Sequence, residues 1–342
     1  MSLGPSDPWD VIDQLRRLHL RMLAALHAEL RAASSTELSR VGVVQGGDAV
    51  YAIDMKGEEI LIEHCREWSK AAPFLLIAEG ITESGERMFP EGADPASAEF
   101  RLIVDPIDGT RGLMYNKRSA WILSAVAPNL GPETSLQDIR WAVMTEVPTT
   151  RARYADQLWA SVDGDAEGVT LDITGDEPVF AHAARIQPSR ATDLKHGFAC
   201  LVKFFPTGKT LTAQFEEALF QALSEASDGD VPLVFDDQYI SNGGQMYEIL
   251  SGHDRFIADL RPLIFRRVGS GEGGKLCAHP YDLCTELIAR RLGAVVTGVD
   301  GRPLNAPLSV HHNVAWVAYA NEELRGRIEP VLQRLLAEFG LI

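Results

Sequence analysis

Two carboxylates stand three positions apart in Asp105-Pro106-Ile107-Asp108-Gly109-Thr110, directly after the apolar run 100–104. That run reads as a strand, and α/β enzymes place their sites at strand ends. The proline stiffens the backbone between the acids, so both can converge on one cation. The Ile107 carbonyl between them points outward and offers a third oxygen. Hard cations such as Mg²⁺ take carboxylate and carbonyl oxygens and keep positions open for water and phosphate. Gly109 and Thr110 then open a helix, whose N-terminus suits a phosphate group. The Thr110 hydroxyl could hold a water. The plainer alternative is an acidic turn in which Asp108 caps that helix. Chance would place these fixed residues in about one chain in several thousand, which favours chemistry. Aspartyl-phosphate chemistry is excluded by spacing. The nucleophile of an Asp-x-Asp-Gly-Thr motif would fall where Pro106 stands.

Other acids sit at the ends of the elements that must position this stretch. Glu79 closes the apolar run 74–78, also a strand. Asp54 precedes a helix that buries Ile60, Leu61, Cys65 and Trp68, and its plainer role is an N-cap. Asp282 precedes the helix 283–292, ended by Gly293, and its plainer role is likewise an N-cap. Asp7 and Pro8 start a first helix, with Trp9, Ile12, Leu15, Met22, Leu26 and Leu30 at helical spacing. Further strands are expected at 121–127, 141–147, 198–203, 231–235, 294–297 and 314–320. Helices are expected at 212–226, 243–252 and 321–339. The stretch 128–195, rich in Pro, Gly, Asp and Thr, reads as strands and loops of unassigned pairing. A boundary falls between 150 and 190. The class is α/β and layered. Residues 1–185 form an α+β half with the acidic hexapeptide, and 186–342 an α/β half with Asp282.

Charge narrows the partners. The 342-residue chain carries 32 Lys+Arg against 48 Asp+Glu, a net charge of −16. Such a surface repels polyphosphate backbones and anionic membranes, so nucleic-acid polymers and membranes are not expected partners. No apolar stretch approaches the ~20 residues of a membrane span, and the N-terminus does not read as a secretory signal. Cys65, Cys200, Cys277 and Cys284 form no C-x-x-C pair and no disulfide framework. A reducing cytoplasm and buried, apolar thiols follow, without zinc. His64, His182, His196, His253 and His279 show no ligand spacing. His279 alone lies close to Asp282.

At this point the chain resembles the inositol monophosphatase family, within the superfamily of fructose-1,6-bisphosphatases and bisphosphate nucleotidases. The hexapeptide from Asp105 to Thr110 is that family's signature. Glu79 in Ile77-Ala78-Glu79-Gly80 stands where the family has a metal-binding Glu, although the second Glu often found next is Gly80 here. Tyr281-Asp282 resembles the family's Trp-Asp motif. The stretch 291–304 resembles its closing segment, and Ser241-Asn242-Gly243-Gly244-Gln245 also fits its pattern. The resemblance spans roughly residues 10–335. It implies a layered α-β-α-β-α sandwich and direct attack of a metal-activated water on a phosphate monoester, with no covalent enzyme intermediate. Metal ligands would be Glu79, Asp105, the Ile107 carbonyl, Asp108 and Asp282, holding on the order of two or three Mg²⁺ ions. Thr110, polarised by Asp54, would orient the water together with Glu79. Phosphate and substrate would meet Gly109, Thr110, Gly244, Gln245 and Lys275. Homodimers and Li⁺ inhibition are common in the family.

The substrate is where the chain departs from that pattern. The family's Glu that contacts ring hydroxyls is replaced by Lys275. The stretch 261–275 holds Arg261, Arg266, Arg267 and Lys275 against one acid. A basic loop there suits a second anionic group on the substrate; the bland alternative is a solvated loop. Inositol phosphate or a similar polyol or sugar phosphate is the first expectation. A sugar bisphosphate or a 3′-phosphoadenosine nucleotide is the second. A non-catalytic sensor of Mg²⁺ and a phosphorylated ligand is the alternative of another class.

Overall fold

The computed structural model describes residues 8–38, 41–45, 48–223, 227–228, 231–270 and 276–342. In chain order the first half contains α1 (Pro8–Ala32), α2 (Ser35–Leu38), β1 (Val41–Gln45), β2 (Asp48–Tyr51), α3 (Ala52–Trp68), β3 (Phe74–Ala78) and β4 (Glu86–Phe89). It continues through β5 (Phe100–Asp108), α4 (Thr110–Met114), β6 (Ala120–Pro128), β7 (Trp141–Val147), β8 (Tyr154–Ser161), β9 (Glu167–Asp172) and β10 (Val179–Ala183). The second half contains β11 (Gly197–Leu201), α5 (Lys209–Ala222), β12 (Ser227–Asp228), β13 (Val231–Pro232), β14 (Val234–Phe235), α6 (Asn242–Leu250) and β15 (Asp254–Asp259). It ends with α7 (Arg261–Arg267), α8 (Glu286–Leu292), β16 (Val295–Gly298), β17 (Trp316–Tyr319) and α9 (Glu322–Glu338).

Among the described residues two sheets dominate. The larger runs β10-β9-β8-β7-β6-β5-β3-β4, and the smaller β14-β11-β15-β17-β16. Alternation along the strands divides the larger sheet between two cores. Phe74, Leu76, Ala78, Leu102 and Val104 face the helices, where Leu15, Leu18, Met22 and Leu61 pack. Ile77, Ile103, Trp121 and Leu123 face the opposite way, onto Met246, Ile249 and Leu250 of α6 and Leu287 and Ile288 of α8. Those two helices also cover Ile257, Trp316 and Ala318 of the smaller sheet. Its far face, with Ala199, Leu201, Phe256 and Val317, packs on Phe215 and Leu219 of α5 and Leu324, Ile328 and Leu332 of α9. The architecture is therefore the layered α-β-α-β-α sandwich expected.

Several local expectations change. Beyond the expected strand β7, the 128–195 stretch supplies β8 to β10, which continue an antiparallel meander that extends the larger sheet. Strand β15, at 254–259, was not expected; it is the central parallel partner of β11. The supposed basic loop begins as a helix, α7. Helix α3 starts at Ala52, which puts Asp54 inside the first turn rather than at the N-cap. Helix α8 starts at Glu286 with Thr285 as N-cap, so Asp282 does not cap it. Asp7 lies outside the described residues. No described helix is long and apolar enough to cross a membrane.

Candidate metal centre

The convergence of Asp105 and Asp108 has a backbone cause. In a regular strand residues three apart point to opposite faces. Here Asp105 pairs with Leu123 and Asp108 with Trp121, so three steps along β5 match two along β6. The register shift between them is a β-bulge, and one extra residue restores the phase. Trp121 and Leu123 share a face, and both carboxylates follow them toward α6 and α8. Pro106 lies within the bulge, where a missing N–H costs least. The acids thus stand on a bulged strand, not on the turn that their spacing suggested.

Asp282 completes the group. Ligand oxygens of Asp105, Asp108 and Asp282 lie within 4.8 Å of one another, and all three residues are buried. Burial, then the Asp108, Asp282 and Glu79 charges, hold the Asp105 carboxyl well above its ordinary range. Burial, then the Asp282 charge, push Asp108 up to about 7, although N–H groups of α6 and the Ser241 hydroxyl oppose this. Ser241 Oγ donates to Asp108 Oδ2 at 2.8 Å, and the Gly243 N–H to the same oxygen at 2.5 Å. Asp108 therefore meets the N-terminus of α6, not of α4. The His279 N–H donates to Asp282 Oδ2 at 2.6 Å, and the Ile107 N–H to Asp105 Oδ1 at 3.0 Å. Such a donor set fits a hard divalent cation, because buried like charges are relieved by one.

The neighbouring groups take distinct places. Thr110 Oγ1 lies 3.0 Å from Asp54 Oδ1 and 2.8 Å from the Ile107 carbonyl. Glu79, just past β3, is exposed and stands outside the 4.8 Å group. The Tyr281 hydroxyl donates to its Oε2 at 3.1 Å, and the ring stacks on His279 at 5.2 Å. Gly109 has φ +94, and a Cβ there would fall 2.9 Å from Ser241 Cβ. Gly243 is as constrained: a Cβ would fall 2.8 Å from Leu123 and 3.0 Å from Asp108 Oδ2.

Residues assigned to substrate are placed differently. Gly244 and Gln245 are buried in α6. The Gly244 N–H donates to Ser241 Oγ, and Gln245 Nε2 to the Tyr239 carbonyl. Lys275 lies outside the described residues. Arg261 is buried against Asp259 and is no part of a solvated basic loop. Arg266 and Arg267 are exposed, and Arg267 Nε donates to the Phe339 carbonyl at 3.4 Å, away toward the end of α9. All four cysteines are buried and free. The roles of Ser241, Gly243, Tyr281 and Arg261 escaped the sequence reading. The one available signal was Ser241 as an N-cap ahead of a Gly-Gly pair.

No protein-family model matches the sequence, and no curated protein matches it. Solved structures do match. Leishmania major fructose-1,6-bisphosphatase in holo form superposes with TM-score 0.67 at 12% identity, over 98% of this chain and 99% of that one. The extragenic suppressor protein SuhB of Bartonella henselae gives 0.62 at 14% identity, over 95% and 99%. The IMPase of Thermotoga maritima gives 0.57 at 15% identity, over 94% and 97%. The chain has the fold of the inositol monophosphatase and fructose-1,6-bisphosphatase structures, in agreement with the resemblance carried by its hexapeptide.

Proposed function

We propose that this chain is a metal-dependent phosphate monoester hydrolase. The observation that carries the reading is the buried Asp105–Asp108–Asp282 group beside the Thr110–Asp54 pair. Asp105, Asp108 and Asp282 would hold Mg²⁺, with Glu79 and the Ile107 carbonyl at the periphery. When bound, Mg²⁺ supplies Lewis-acid polarisation of phosphoryl oxygens and lowers the pKa of nearby water. The Thr110 hydroxyl has one proton and two acceptors within reach. Its lone pairs remain available to orient an attacking water. Asp54 holds the hydroxyl in place, and Glu79 can take up the proton that the water sheds. The substrate class is a small polyol or sugar phosphate, inositol phosphate first, met by a homodimer in the cytoplasm. The fructose-1,6-bisphosphatase neighbour keeps a sugar bisphosphate as the second substrate.

Phosphate release is the test. Inositol 1-phosphate, fructose 1,6-bisphosphate, 3′-phosphoadenosine 5′-phosphate and simple sugar phosphates are assayed with Mg²⁺ or with EDTA, beside Asp105→Asn. Metal-dependent release that the variant loses is the expected result. Measurable Mg²⁺ binding with no release from any ester would favour a sensor.

A further inference from the structure

We propose that Arg261 is a positioning residue for the metal centre: one buried guanidinium ties the helix start that holds Asp108 to the backbone that leads into Asp282. This rests on the metal-dependent reading of the same site.

Arg261 opens α7 directly after β15 and is 8% exposed. Its Nε lies 2.9 and 3.0 Å from the two Asp259 carboxylate oxygens, and its Nη2 lies 2.5 Å from Oδ2. Phe204 and Phe205, in the loop after β11, lie against the guanidinium at 5.0 and 5.7 Å. Strands β11 and β15 are parallel, so this loop and α7 leave the sheet at the same end. Two further hydrogen bonds leave the ion pair. Nη2 donates to Asn242 Oδ1 at 3.3 Å, and Nη1 donates to the Leu276 carbonyl. Asn242 sits between Ser241 and Gly243, which donate to Asp108, and its own N–H acts on the same carboxylate. Leu276 starts the segment that reaches Asp282 through the His279 N–H.

A lysine would satisfy the charge of Asp259. Only a planar fork with several donors reaches Asp259, Asn242 and Leu276 together. A buried ion pair is by itself weak evidence for stability. What this one delivers is registry between two segments, one that hydrogen-bonds Asp108 and one that carries Asp282. Arg261 acts through backbone and Asn242, not on substrate. Groups that hydrogen-bond metal ligands commonly tune metal affinity, and Arg261 stands directly behind such groups.

The test is Mn²⁺ binding followed by electron paramagnetic resonance, with thermal unfolding in EDTA as the measure of folding. The variants are Arg261→Lys and Asn242→Ala. Arg325→Lys serves as control; that guanidinium joins Glu329 to the Gly301 carbonyl in the same half. Arg261→Lys is expected to weaken Mn²⁺ binding by about 10-fold, the low end of the range for groups bonded directly to metal ligands, and Asn242→Ala by less. Arg325→Lys should lower the thermal midpoint without moving Mn²⁺ affinity. Wild-type affinity in a folded Arg261→Lys, alongside binding that Asp105→Asn abolishes, overturns the positioning role and leaves the metal reading intact. If Arg261→Lys does not fold, Asn242→Ala decides, because it keeps the Asp259 pair and removes one acceptor; unchanged affinity there overturns the proposal. Wild type binding Mn²⁺ no better than Asp105→Asn would overturn the metal reading, and this proposal with it.

Discussion

Ser241 donates its hydroxyl to Asp108 Oδ2 at 2.8 Å across 133 residues of sequence, while its Oγ accepts the Gly244 N–H at 2.9 Å. One side chain thus caps α6 and fixes a carboxylate of the candidate metal centre on β5. Ser241→Ala should cost about 1–2 kcal/mol of stability through the lost cap. It should also weaken Mg²⁺ binding, because Asp108 loses one of the groups that favour its charged form. Thermal unfolding and Mg²⁺ titration separate the two effects. A lower midpoint with unchanged Mg²⁺ affinity would confine Ser241 to capping.

The carboxylate group makes metal-free stability depend on pH in a definite direction. Asp108 is pushed up to about 7 in the folded chain, against roughly 4 for a free Asp. The folded form therefore binds its proton more tightly than the unfolded form. The resulting stabilisation is complete below about pH 4 and is lost as pH rises through about 7. Asp105, shifted the same way, adds to the loss. In EDTA the midpoint of wild type should fall relative to Asp108→Asn between about pH 4 and pH 8. Mg²⁺ should restore wild type at the upper end and leave the variant nearly unchanged. Parallel pH profiles for the two proteins in EDTA would contradict this account.

Gly243 is held by steric contact rather than by a special backbone angle. A methyl group there would meet Leu123 at 2.8 Å and Asp108 Oδ2 at 3.0 Å. Gly243→Ala should destabilise by about 1–3 kcal/mol, as overpacking commonly does. The displaced carboxylate should lower Mg²⁺ affinity as well. Gly326→Ala is the control, since a Cβ there meets nothing within 4 Å. Equal thermal midpoints for the two variants would show that α6 can move away from the strand.

The hexapeptide, the strand ends and the helical periodicities were legible because each is a local pattern. The bulge was not. The three-residue spacing of Asp105 and Asp108 fits a turn or a bulged strand, and only the pairing with Trp121 and Leu123 decides. Strands β9 and β10 were hidden for another reason. At the edge of the sheet and next to it they carry few buried residues; the edge strand β10 exposes Val179 and Phe180, so its alternation is weak. Arg261 read as part of a basic loop because its counter-charge, Asp259, lies just upstream of the stretch that was counted. The Ser241–Asp108 bond joins the two halves, and no local pattern records it.

Thr110 and Asp54 carry the sharpest prediction, because the Thr110 hydroxyl bonds to Asp54 and to the Ile107 carbonyl. The half-buried Asp54 belongs to the first turn of α3. Removing the hydroxyl should leave the three aspartates in place and strike the water. Thr110→Val should reduce kcat by about 100- to 10,000-fold, the range for a lost proton-transfer partner. Mn²⁺ affinity should stay near that of wild type. Thr110→Ser keeps the hydroxyl and should keep most of the activity. Asp54→Asn should fall between them, since an amide oxygen still accepts but carries no charge to polarise Thr110. Steady-state kinetics on the best ester and Mn²⁺ titration of the same preparations read both quantities. A Thr110→Val variant that loses metal along with activity would make Thr110 a support of the metal group instead of the residue that orients water.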